Sequence, residues 1–190
     1  VGSFCGNASA APLPCPAGRW TNRTDVQRGD GCEGCPEGHS CGVGVSEATP
    51  CGAGTFANAS GLSECFRCAA GKLQASVGQT ACDQCGLGVY CPVGSSAALS
   101  CPAGRFGNES GLGDETECHP CPAGTFCTTG AKQPAKCRPG TVAPHTNMTA
   151  CDGCEPGTFQ SGMGQTACAP CEAGSFCGNA SAAPLPCPAG

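Results

Sequence analysis

Isoleucine is absent from this chain, and leucine, valine and phenylalanine together supply only about an eighth of its 190 residues. So little apolar side chain cannot fill the single core that a chain of this length would otherwise bury. Tryptophan and tyrosine occur once each, and charged residues make up 12% of the chain, about half the usual share. The net charge is −5 and there is no basic stripe, which excludes the electrostatic footprint of a protein that binds nucleic acid or an anionic membrane. No apolar run approaches the ~20 residues of a membrane-spanning helix. No signal peptide opens the sequence either, as expected of an internal window on a longer chain. The three histidines, His39, His119 and His145, are scattered. No Ser-His-Asp arrangement, phosphate-binding glycine loop or paired carboxylate cluster accompanies them. The expectation is a non-enzymatic protein with no cofactor and no metal site.

What the chain does have is cysteine, 22 of them. From Cys5 the gaps to successive cysteines run 10, 17, 3, 6, 10, 14, 3, 14, 3 and 6, and from Cys91 the same ten numbers follow in the same order. Cys177 and Cys187 begin a third pass of this 86-residue period. Crosslinks restrict the unfolded chain, so small modules can hold a shape without a core. Residues 2–18 recur letter for letter at 174–190, whereas the two 86-residue units match at only about a third of their positions. A larger duplicated block of 172 residues explains that identity. The expected organisation is therefore the end of a preceding repeat at 1–4, one unit at 5–90, a second at 91–176 and the start of a third at 177–190.

Six asparagines are present, Asn7, Asn22, Asn58, Asn108, Asn147 and Asn179, and each begins an Asn-x-Ser/Thr sequon. Serine and threonine together make up about 15% of the residues, so chance placement does not account for six out of six. They are expected to carry N-glycans on exposed loops of a secreted protein, these glycans being the only covalent groups anticipated. Asn22 and Asn108 lie 86 residues apart, so sugars would recur along one face.

One phrase returns throughout, Cys-x-x-Gly-x-aromatic: CPAGRW at 15, CGAGTF at 51, CGLGVY at 85, CPAGRF at 101, CPAGTF at 121, CEPGTF at 154 and CEAGSF at 171. Glycine at its fourth position can take positive φ and turn the chain tightly, while proline restricts the unfolded alternatives. The ring is expected to cover a neighbouring disulfide. No sustained helical periodicity is present, and Gly and Pro punctuate every segment. The expected fold is a small disulfide-rich tandem-repeat fold, an elongated rod or solenoid of short β-hairpins and loops with almost no helix.

Pairing is constrained by repetition. Segments of like length and like opening should close alike, giving Cys15–Cys32, Cys51–Cys65, Cys68–Cys82, Cys101–Cys118, Cys137–Cys151 and Cys154–Cys168. Four tight rings remain: Cys35–Cys41, Cys85–Cys91, Cys121–Cys127 and Cys171–Cys177. Cys5 and Cys187 would then need partners outside these residues. An interlocked alternative, Cys35–Cys51 with Cys41–Cys65 and likewise in later copies, satisfies the same spacing. The six C-x-x-C pairs (32/35, 65/68, 82/85, 118/121, 151/154, 168/171) could be zinc knuckles or redox pairs in a reducing compartment. The sequons and the even distribution of the other cysteines favour disulfides. Arg28-Gly29-Asp30 matches the tripeptide that integrin-type receptors recognise on loop tips; its counterpart, Asp114-Glu115-Thr116, does not. A polar turn before Cys32 accounts for it equally well.

Loops such as CGAGTFANASGLSECFRC and CEPGTFQSGMGQTACAPC resemble the ephrin-receptor-like cysteine-rich repeat and are more distantly similar to tumour-necrosis-factor-receptor modules. Similar runs occur in giant extracellular proteins of algae and protists, including components of flagellar hairs (mastigonemes). The resemblance implies an extracellular, cell-surface or flagellar-surface location, with proline-rich stretches such as AAPLP open to hydroxylation in an algal host. The function expected is a structural, N-glycosylated component of a filament, stalk or surface coat, its partners being copies of itself or a continuing repeat chain. The alternative is the stalk of a receptor or adhesin ectodomain.

Overall fold

A computed structural model describes residues 1–6 and 11–187. Among these, eleven two-stranded antiparallel hairpins, each strand two residues long, account for all the sheet. Two 3-10 turns, Gly29–Gly31 and Glu115–Glu117, are the only helical elements among them. The chain is thus a disulfide-rich tandem-repeat fold of short hairpins with almost no helix. It divides into two compact units, Val1–Cys85 with Cys91–Ala98, and Gly86–Tyr90 with Leu99–Gly190.

Seven of the eleven hairpins begin at the recurring phrase, and those starting at His39, Lys72 and Thr141 begin at Cys-x-x-Gly without the aromatic. The N–H of Thr55 donates to the Gly52 carbonyl at 3.0 Å and that of Thr125 to Pro122 at 3.2 Å, closing a four-residue turn. Its third residue, Gly54 or Gly124, has φ of +82° or +80°, the left-handed value that such a turn requires and that glycine reaches without penalty. The Thr55 and Thr125 hydroxyls also donate to those same carbonyls, at 2.7 and 2.6 Å. The aromatic then enters the first strand, as in Phe56, which pairs across the hairpin with Phe66. The opening cysteine of the following module seals the hairpin, the Cys68 N–H donating to Gly54 O at 2.9 Å.

The hydrogen bonds that recur between adjacent modules within a unit run from backbone to backbone. In the first unit the glycine N–H groups of Gly18, Gly38 and Gly54 donate to Cys41, Ala57 and Gln74, the residue just after the next module's first strand, at 2.7–2.9 Å. In the second, Gly104, Gly124 and Gly140 donate likewise to Cys127, Ala143 and Gln160 at 2.6–2.8 Å. One further forward bond and one returning bond complete the joint. Ala57 N–H donates to Gln79 O at 3.0 Å, and Gly78 N–H to Cys51 O at 2.8 Å. A Cβ on Gly54 would sit 2.2 Å from Gly94 O, and one on Gly124 would sit 2.2 Å from Gly164 O. Two modules on, the backbone is therefore already in contact, and no side chain fits between.

The core is sulfur. Cys15, Cys35, Cys41, Cys68, Cys85, Cys91, Cys101, Cys121 and Cys137 are 0% exposed, while the only large aliphatics buried among the described residues are Val26, Leu112 and Val142. In the second unit Leu112 packs on Cys101 and Cys118, and the ring of Tyr90, from the module before, lies against that cluster. Polar contacts fill in where apolar ones are missing. Gln74, 7% exposed, donates through Nε2 to Ala81 O at 2.8 Å and accepts from Ser76 N–H at 2.9 Å. Gln160, 86 residues on, makes the same pair of bonds to Ala167 and Gly162.

Candidate functional site

Ten disulfides occupy twenty of the cysteines: Cys15–Cys32, Cys35–Cys41, Cys51–Cys65, Cys68–Cys82 and Cys85–Cys91 in the first unit, and Cys101–Cys118, Cys121–Cys127, Cys137–Cys151, Cys154–Cys168 and Cys171–Cys177 in the second. Both members of every C-x-x-C pair are bonded elsewhere, which leaves no thiolate for zinc or for redox exchange in this state. Cys5 and Cys187 are exposed and unbonded. Among the described residues no group of histidine, cysteine and carboxylate side chains is arranged to hold a metal ion, and no helix is long and apolar enough to cross a membrane.

The histidines stay apart. His39 Nδ1 is 3.0 Å from the Glu37 carbonyl, the His119 ring is 5.6 Å from that of Phe106, and His145 is exposed. Arg28-Gly29-Asp30 is not an extended tip. Gly29 and Asp30 lie in the 3-10 turn, and a Cβ on Gly29 would approach the Phe4 ring to 3.2 Å. Asp30 and Arg28 line an open hollow with Arg23 and Asp25. The neighbouring Arg23–Asp25 pair, 3.3 Å apart and exposed, holds the Asp25 carboxyl below its ordinary pKa, chiefly through the hydrogen bond from Arg23.

The sequon asparagines form the most regular surface feature. Asn22, Asn58, Asn108, Asn147 and Asn179 are all exposed; Asn7 lies outside the described residues. Asn22, Asn58 and Asn108 occupy one structural position, two residues after the ring that ends a hairpin's first strand. Asn147 differs, with φ of +64° and its N–H donated to Cys121 O at 2.8 Å. Asn58 shares a cavity of about 280 Å³ with Phe56, Arg67, Lys72 and Thr80. Asn22 shares another, of about 370 Å³, with Trp20, Ser46 and Glu47. In the sequence the rings and the sequons read as separate features. Their fixed spacing, aromatic-x-Asn-x-Ser/Thr at 20, 56 and 106, was the available signal joining them.

Residues 54–97, less than a quarter of the chain, match the family model described as tyrosine-protein kinase ephrin type A/B receptor-like. This stretch is similar to those receptor repeats, a non-catalytic ectodomain type. No curated protein matches the chain. Together with the ten disulfides, the match places the chain in an extracellular or secreted setting with a receptor-ectodomain-like or structural role.

Proposed function

We propose that the protein is a structural, N-glycosylated repeat component of an extracellular filament, stalk or surface coat, of the kind that mastigoneme-type flagellar hairs exemplify. Its partners are copies of itself or a continuing repeat chain, with no nucleic acid and no cofactor beyond its glycans. The observation that supports this reading is the backbone joint between modules. It is repeated in both units and uses no module-specific side chain, as in Gly54 to Gln74 and Gly140 to Gln160. A joint of that kind presents equivalent contacts at regular intervals, which a heterologous, non-closing assembly propagates into a fibre. Ten crosslinks would let such a fibre resist extension and proteolysis.

Cryo-electron microscopy of the native, glycosylated material tests the reading. Filaments with an axial repeat matching one 86- or 172-residue unit, and density extending from Asn22 and Asn108, are the expected result. Isolated chains without subunit contacts would overturn it. The receptor-like match at 54–97 favours the second reading, an ectodomain stalk, in which the same modules would space a ligand-binding domain from a membrane.

A further inference from the structure

Trp20, Phe56 and Phe106 each precede a sequon asparagine by two residues, and the residue in between is buried every time: Thr21 at 3% exposure, Ala57 at 0%, and Gly107. Extended chain alternates sides with a period of two, so a buried middle residue turns the ring and the asparagine to one outward face. The rings themselves are half-buried while Asn22, Asn58 and Asn108 are exposed. Phe56 has one flank against Phe66, centroids 5.9 Å apart and tilted. Phe66 is itself 52% exposed and backs the Phe56 ring from outside the groove. The groove beside Phe56, about 280 Å³, is rimmed by Arg67, Lys72 and Thr80 as well as Asn58. That is close to the ~300 Å³ lower bound of small-molecule sites, and it suits one pyranose ring with an amide.

We propose that these grooves seat the proximal N-acetylglucosamine of the chain's own N-glycans, stacked on the aromatic two residues before its attachment point. The inference rests on the reading that the sequons are occupied. Attachment replaces one Nδ2–H of asparagine by a bond to the sugar's C1, with the diphosphate of a lipid-linked donor leaving and the proton passing to solvent. The sugar is then held beside the ring by its own covalent link, so covering it costs little further freedom. One pyranose face presents C–H groups, and an aromatic face carries the negative part of its quadrupole. The sugar's polar edge meets Arg67, Lys72 and Thr80 at the first groove, and Ser46 and Glu47 at the second. Phe106 and Asn108 repeat the spacing and the burial alternation. Asn179 follows Phe176 by three residues, and Asn147 has φ of +64°; neither shares the register. In this chain, poor in apolar side chains, the sugar completes a core that the sequence leaves half open.

The test uses the protein made in a glycosylating host and trimmed to a single N-acetylglucosamine per site. Peptide mapping first establishes occupancy at Asn58. Nuclear magnetic resonance then reads the ring protons of that sugar, which should be displaced upfield by the Phe56 ring current and return to the free-sugar position in Phe56→Leu. Leu73 already fills the same slot in the next module, so leucine is compatible with the hairpin. Phe106→Leu should leave the Asn58 sugar unmoved. Asn58→Gln should speed exchange of the Ala57 amide roughly two- to tenfold, the range of one aromatic contact. An unmodified Asn58 overturns both the occupancy reading and the seat. An occupied Asn58 whose sugar protons are the same with Phe56 and with Leu overturns the seat alone.

Discussion

Arg19 and Arg105 stand 86 residues apart and do the same thing: each sends Nη1 to a cysteine carbonyl, Cys32 O at 2.8 Å and Cys118 O at 2.7 Å. The loops that follow close through 3-10 turns entered at almost identical backbone angles, φ −143° and ψ 157° at Arg28, φ −145° and ψ 155° at Asp114. Yet between 20–31 and 106–117 only Asn22 and Asn108 coincide. In the second loop Asp114 accepts from Thr116 N–H at 2.9 Å and its hydroxyl at 2.8 Å, and Glu117 accepts from Gly113 N–H at 2.9 Å. The first loop has no side-chain cap and shows instead the exposed Arg23–Asp25 pair. Disulfide, turn, backbone joint and one buried aliphatic at the same position, Val26 or Leu112, set the path of both loops; the exposed side chains along it decorate a shape they do not determine.

Breaking that frame should therefore cost far more than changing its decoration. Replacing Cys101 and Cys118 by alanine releases a loop with a sequence separation of 17, worth about 3 kcal/mol by chain entropy. Denaturant unfolding should show a loss of similar size for Cys15 and Cys32, whose separation is also 17. A much larger loss in the second unit would mean that Leu112 and Tyr90 make that loop more than a decorated copy. The tight Cys121–Cys127 ring, separation 6, should cost less, about 2.4 kcal/mol on the same model.

Next in size are the glycines of the turn. Gly38→Ala and Gly124→Ala each put a Cβ 2.2 Å from a carbonyl oxygen, Gly78 O and Gly164 O, on a backbone with φ of +75° and +80°. Each should lose about 2 kcal/mol or more, read as a lowered unfolding midpoint. Gly52→Ala, with nothing within 4 Å, should be close to neutral. If Gly52→Ala proved as damaging as Gly38→Ala, the close approach between backbones would not be what holds the modules.

The smallest effect separates the two loops themselves. The Thr116 N–H and hydroxyl hold the Asp114 carboxyl below its ordinary pKa. A depressed folded pKa contributes stability above the unfolded value, ~3.9, and that contribution is lost as pH falls through the lower, folded value. Protection of the Thr116 amide, its exchange measured against the unstructured rate at the same pH, should therefore fall a few-fold on acidification below about pH 4. In the first loop Arg28 stands where Asp114 does and its side chain makes no cap, so the backbone amide of Asp30, equivalent to that of Thr116, should show no matching loss of protection. Equal responses in both loops would erase the distinction.

Much of this was written in the sequence. The phrase Cys-x-x-Gly-x-aromatic carries the turn, its positive-φ glycine and the start of a strand, so the hairpin fold and the near absence of helix follow from residues such as Gly54 and Phe56. The joint between modules left no such trace. Bonds like Ala57 N–H to Gln79 O use groups that every residue owns, and no side-chain pattern announces them. Gln74 and Gln160 were a missed signal. Both stand in a shared Q-x-x-x-G-Q-T-A-C string, whose first side-chain amide pins the loop. The sequons were legible as triplets, whereas the groove between Phe56 and Asn58 needed the burial of Ala57 to become visible.

Because the joint is made of main chain, a module within either unit carries its own connector. Copying, deleting or exchanging a block of such modules leaves every joint of the same form, and no compensating change is demanded of the neighbour. A gene encoding this chain can therefore lengthen or shorten by whole repeats, and its copies can then drift to the one-third identity seen between the 86-residue units, without passing through an unfolded intermediate.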